Sequence, residues 1–306
     1  MKIAFWSSVR ESIGVTSNLA CISIAMAFEN SCRTVLLENH YQKNPLENML
    51  IHRQKKRQER NAVNISRYKG IEHIINQVDW TRERINYNKM QERIVYEGIC
   101  TLNDSCGSCK TSFHIENEKL MKEASFEILI NSLYYVPTGN HFNQFIFDYT
   151  LNNNIMKILR ASENFAAYTF IDTSNENHLS SKIILEEADL IVVTLAPDKR
   201  VIGEFFRNYS SLLSKCIILL NEYKNDTLKV QAISRKYSFH MSKIIQIPYN
   251  MEYSQAVEQG TIVEFMTRNY GCKREDPNYP FIAGVRHAAA AIQREENRDR
   301  KESWNG

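Results

Sequence analysis

A chain of 306 residues with 43% hydrophobic content can bury a substantial core, as one large α/β domain or two small ones. Its 38 basic and 35 acidic residues leave a net charge of +3, which excludes a global drive toward nucleic acid or anionic membrane and leaves such binding to local patches. No apolar run reaches the ~18 residues of a membrane span, Ile3 to Trp6 is too short for a secretory core, and an odd count of seven cysteines fits a reducing compartment, so the chain reads as cytoplasmic.

The first predicted strand, Lys2 to Trp6, runs into "RESIGVTSN" and then the helical "SNLACISIAMAF". A phosphate cradle needs small residues that let backbone N–H groups point inward, a helix N-terminus, a lysine for the outer phosphates and a hydroxyl for magnesium. Gly14, Thr16 and Ser17 supply the last glycine and the two hydroxyls, but Val15 stands in the lysine position. An N-cap with a good hydroxyl and a phosphate site are both open readings at this point.

Further strands are predicted at Arg33 to Leu37, Ser132 to Val136, Tyr168 to Asp172, Leu190 to Leu195, Cys216 to Leu220 and Lys243 to Ile247. With helical patterns between them, these runs predict a doubly wound, mostly parallel α/β sheet of about seven strands, whose ligands sit beyond the carboxyl ends. Residues from about 50 to 131 lack a good strand. "GIEHIINQVDW" and "NEKLMKEASFEILIN" read as helical, which predicts a mostly helical insertion on a single domain spanning 1–306, with a polar, frayed tail at about 297–306.

Two features of the insertion carry candidate chemistry. Cys100, Cys106, Cys109 and His114 form a C-x5-C-x2-C-x4-H run of zinc-binding residue types, but a single Cys-x-x-Cys with loose outer ligands fits a reduced surface loop better. The basic run "HRQKKRQER", His52 to Arg60, has no interleaved aromatics and reads as a solvated helix face before it reads as a nucleic-acid or lipid contact.

Aligned in order, the strand ends resemble the MinD/ParA group of P-loop ATPases. That group's deviant Walker A is KGGxGKT(T/S), and "RESIGVTS" stands here; its "LLIDLDPQ" corresponds to "VLLENHYQ" and its "IDTPPG" to "FIDTSNE". "ADLIVVTLAPD", "IILLNEYKN" and "IIQIPYNMEYSQAVEQGTIV" are similar to its later landmarks. Through this resemblance, Thr16 and Asp172 are implied for magnesium, Ser17 for the α-phosphate and Asn221 for adenine, and Pro248 is implied among the nucleotide-binding residues. Arg10 stands for the signature lysine, Glu11 replaces a glycine and brings a carboxylate near the phosphate path, Glu38 keeps the first carboxylate of "DLD", and His40 replaces the second.

The resemblance therefore implies a degenerate site, with ATP or ADP and magnesium weakly bound and hydrolysis reduced or lost. It implies a homodimeric positioning or scaffold factor, cytoplasmic or peripheral to the membrane or cell pole. Within the group, the eroded loop, the "FW" strand and the "YVPTG" turn resemble the TadZ/CpaE-like branch, which implies a partner in Tad or type IV-type pilus or secretion machinery. The alternatives are an active ParA-type partitioning ATPase and a zinc-stabilised interaction module.

Overall fold

In the computed structural model, which describes residues 1–9, 14–41, 44–51, 69–77, 117–138, 143–176, 178–223 and 228–304, the short apolar runs pair into one eight-stranded sheet. The strands are β1 (Lys2–Trp6), β2 (Thr34–Glu38), β3 (Phe126–Leu129), β4 (Leu133–Tyr135), β5 (Tyr168–Asp172), β6 (Leu190–Leu195), β7 (Cys216–Tyr223) and β8 (Ile244–Pro248). Their order is β3-β4-β2-β5-β1-β6-β7-β8, parallel throughout except for β3 against β4. β1 lies between β5 and β6, so connections diverge to either side of it and open a crevice at its carboxyl end.

Helices cover both faces. α1 (Val15–Glu29), α2 (Pro45–Leu50), α9 (Met251–Gln259), α10 (Ile262–Asn269) and α11 (Tyr279–Trp304) contribute to one core with Phe5, Leu36 and Phe170. The other face carries α3 (70–77), α4 (117–124), α5 (Gln144–Phe165), α6 (Leu179–Glu187), α7 (Lys199–Asn208) and α8 (Val230–Tyr237), packed on residues such as Ala4, Val35 and Ile171. α1 is buried along Asn18 to Met26 and apolar nearly all round, as a central helix must be. Each fully buried Leu or Ile there contributes about 1.5–3 kcal/mol, which fixes the start of α1 rigidly at the crevice.

Three expectations shift. The sheet has one more strand than the seven expected, because Asn117 to Asn131 does not stay helical: α4 ends at 124 and β3 follows at Phe126–Leu129. Glu127 Oε1 accepts from Asn131 N at 2.7 Å and Tyr134 Oη at 2.9 Å, and Asn131 takes the left-handed conformation, φ 57°, that closes the hairpin. This pairing overrides the helical pattern of the segment. At the other end, the polar residues after 296 continue α11 in backbone through Trp304, since the run is rich in helix formers and contains no glycine or proline before Gly306.

Candidate functional site

The site is built at the carboxyl ends of β1, β5 and β7. After β1, Val9 N donates to Ser7 Oγ at 3.2 Å, and the chain enters α1 through Gly14. Gly14 has φ 79°, and a Cβ there would lie 2.6 Å from Asn221 Nδ2. Glycine is thus demanded twice, by backbone conformation and by the side chain held above it. The hydroxyls that follow do not cap the helix: Thr16 Oγ1 donates to Asp172 Oδ2 at 2.6 Å, and Ser17 Oγ donates to the Gly14 carbonyl at 3.2 Å. Among the described residues no side chain accepts a first-turn N–H of α1, and that turn holds no acidic residue. Those donors are what an anion would meet.

Asp172 ends β5 and is 1% exposed. Its Oδ2 receives Thr16 and lies 3.1 Å from His40 Nε2, while Oδ1 is buried with no hydrogen-bond partner among the described residues. An orphaned buried carboxylate oxygen beside a threonine hydroxyl is the hard-oxygen pair that magnesium takes, so the residues present fit that ion. His40 offers nitrogen where the resemblance expects an oxygen ligand.

Glu38 lies in register with Asp172 on the adjacent strand. Burial, reinforced by the Asp172 charge, pushes its carboxyl up to about 8, although donation from Tyr135 Oη pulls the other way. Leu46 N approaches its second oxygen at 3.4 Å. At neutral pH Glu38 is therefore largely a neutral carboxyl bonded to the core tyrosine, and adds little negative charge to the crevice. Val15 packs partly buried against the core of the α1 face, so the lysine position is filled by an anchored apolar side chain.

Asn221 reaches the loop from β7. Its Oδ1 accepts from Asn18 Nδ2 at 3.1 Å, and the following Glu222 has φ 52° where the β7–β8 register shifts. This bulge at the end of β7 aims the amide across Gly14. Pro248 ends β8 but packs toward α11, where a Cβ on Gly284 would lie 3.2 Å from its Cδ. Arg10, Glu11, the cysteine run with His114, and the basic run 52–60 lie outside the described residues.

Several supports carried no signal in the motif pattern. Tyr253 Oη donates to the Ser17 carbonyl, joining α9 to the loop helix. Asn39 Oδ1 accepts from Ser174 N at 2.6 Å, while its Nδ2 donates to Ser180 Oγ at 3.2 Å and Ser181 Oγ at 3.0 Å. Asn175 Nδ2 donates to the Val9 carbonyl. The loop after β5 is thereby tied both to β2 and to the loop after β1. Asn39 and Tyr253 occur within stretches singled out for other reasons, and only their positions in space give them this role.

Gly14, Thr16, Asp172 and Asn221 thus converge from three separate strand ends, and the whole architecture can be compared with solved structures. The fold is that of the MinD and ParA ATPases. A ParA family ATPase from Chlorobium tepidum matches with TM-score 0.58 at 13% identity, over 94% of this chain and 98% of its own. MinD from Pyrococcus horikoshii, complexed with Mg-ADP, matches with TM-score 0.58 at 11% identity, over 95% of each chain. A plasmid partition protein from Borrelia burgdorferi bound to AMPPNP matches with TM-score 0.56 at 9% identity, over 96% of this chain and 98% of its own. No family model matches the sequence, and no curated protein matches it. Among the described residues no helix is long and apolar enough to cross a membrane.

Proposed function

We propose that this chain is a MinD/ParA-type positioning or scaffold protein that binds an adenine nucleotide weakly and hydrolyses it at or near background. The observation that carries the reading is the convergence of Thr16 and Asp172 at 2.6 Å, with an Asp172 oxygen and the first N–H groups of α1 that have no side-chain partner among the described residues. The α- and β-phosphates fit that helix start, and Asn221, held over Gly14, stands beside the same turn. Magnesium, held by Thr16 and Asp172, would supply charge neutralisation for the phosphates.

The groups that would stabilise a transferring phosphoryl are the ones replaced. Val15 contributes no charge, His40 is not a carboxylate, and Glu38 is neutral in the core. The protein then acts by nucleotide-dependent or constitutive self-association, as a homodimer, and the sequence resemblance favours a Tad or type IV-type pilus or secretion machine as its cargo. The Mg-ADP-bound MinD and the AMPPNP-bound plasmid partition protein support ADP and ATP as ligands to test.

Isothermal titration with Mg-ADP and Mg-ATP tests the binding claim. ADP is expected to bind at least as well as ATP, because each added phosphate brings charge that Val15 does not offset, and Asn221→Ala should weaken both. Absence of heat and of any thermal shift at millimolar nucleotide overturns it. Turnover at rates typical of the active group, abolished by Asp172→Ala, would instead establish the partitioning-ATPase reading.

A further inference from the structure

A second concave surface lies between α7 and α8. α7 is strongly two-sided: Ile202, Phe205 and Phe206 are buried, while Lys199, Arg200, Glu204 and Arg207 are exposed. Opposite stand Lys236 and Tyr237 at the end of α8, and a groove of about 420 Å³ opens between the two helices. None of its residues belongs to the nucleotide site described above.

The groove carries four cations and one carboxylate, and among the described residues none of these five side chains forms an ion pair. Basic helices are usually laced with acidic neighbours, and elsewhere this chain follows that habit, as in Lys243–Glu295 at 2.8 Å. Here, among the described residues, four cations meet one carboxylate around the concavity, with Asp198 at the N-cap of α7 as a further acidic neighbour of Arg200, and the surplus of positive charge makes the complementary occupant anionic.

Two observations choose among anionic occupants. The Tyr237 ring is stacked on Phe206 with centroids 4.2 Å apart and an interplanar angle of 3°, and the Lys236 ammonium lies 5.0 Å from its centroid. Phe206 takes one face of the ring, so the groove offers a nucleobase a single half-buried aromatic at most. Glu204 sits among the cations, where it repels a phosphate backbone and a peptide's carboxylates alike, but only the peptide brings backbone N–H groups from which it can accept. Gly203 keeps the floor open: a Cβ there would already lie 3.2 Å from Tyr237 Oη.

We propose that the α7–α8 groove is a docking site for a short acidic peptide segment of a partner protein. Arg200 and Arg207 are seven residues apart on one helix, about 10 Å along its axis, which is about one turn of a peptide in the polyproline-II conformation, whose residues i and i+3 return to the same side. Two carboxylates with that spacing would each meet an arginine while the intervening backbone passes Gly203 and Glu204. Binding is salt-sensitive, since the cations are exposed.

The test is fluorescence anisotropy on the full chain, with a labelled peptide carrying two aspartates separated by two serines, its asparagine counterpart, and labelled oligothymidylate. The aspartate peptide should bind, and the asparagine peptide should not. Arg200→Ser with Arg207→Ser should weaken binding at least about tenfold. Gly203→Leu should also weaken it while leaving every charge in place. If Gly203→Leu does not fold, as judged by circular dichroism, the arginine pair decides the matter. No binding of the aspartate peptide at low salt, equal binding of the asparagine peptide, indifference to the arginine pair, or tighter binding of oligothymidylate each overturns the proposal.

Discussion

At the ends of β2 and β5 Glu38 and Asp172 are buried, with His40 partly buried 3.1 Å from Asp172, whereas between α7 and α8 the ionisable side chains stand exposed and, among the described residues, without ion-pair partners. The first region holds Asp172, Glu38, His40 and Thr16 in one arrangement, and desolvation makes each contact there expensive to alter. In the second, water screens each charge, so removing one costs the fold little and changes chiefly what the surface attracts. Buried polar groups in this protein define geometry; exposed ones define a field. The same residue types therefore make opposite predictions under mutation.

The largest expected effect is at Glu38. An unfolded glutamate titrates near 4.5, and burial raises the folded value to about 8, so between these values the folded state holds a proton that the unfolded state has lost. Stability should fall as pH rises through this window, by up to about 1.4 kcal/mol per pH unit and of order 5 kcal/mol in total. Below about pH 4.5 the contribution is fully present. Glu38→Gln should flatten the slope in urea denaturation run across the window, and an unchanged slope would mean that Glu38 is ionised beside Asp172.

Next comes Gly14→Ala, which strains a φ of 79° and drives a Cβ to 2.6 Å from Asn221 Nδ2. A loss of about 1–3 kcal/mol is expected in chemical denaturation, together with loss of nucleotide heat. A variant with full stability and unchanged nucleotide binding would break the claim that this turn is built around Asn221. Tyr253→Phe should cost about 1 kcal/mol by removing the donor to the Ser17 carbonyl, measured in the same way, with nucleotide affinity lowered if the loop loosens. The smallest effect belongs to the groove: Arg200→Ser with Arg207→Ser should leave the denaturation midpoint within about 0.5 kcal/mol of the parent. A larger loss would mean that these arginines are part of the fold's own support.

Much of the architecture was legible without coordinates. The strands β1, β2 and β4 to β8 are short runs of Val, Ile, Leu and aromatic residues, and buried parallel strands must be so composed because both faces are covered. β3 was not legible, because Phe126 to Leu129 shares its composition with the preceding helix, and only pairing to β4 along the sheet edge selects the strand. At the end of α11 the polar residues were expected as a frayed tail, and the backbone continues helical through Trp304, with Arg298, Arg300, Lys301 and Glu302 as helix formers and no glycine or proline to stop it.

The site divides along the same line. Gly14, Thr16 and Ser17, with the substitution at Val15, were picked from the strand–loop–helix pattern, whereas Asp172, Asn221 and the substitution at His40 were picked only through the resemblance to the MinD/ParA group. The tertiary structure decided which of them touch: Thr16 with Asp172, Asn221 over Gly14, and Glu38 with Tyr135, while Pro248 turns toward α11. It also decided the bulge at Glu222, the tie from Tyr253 and the groove between α7 and α8. Local pattern sets backbone period and burial within each element, but contacts between residues 150 or more apart depend on register and helix placement across the sheet, and these are settled only when both cores pack together.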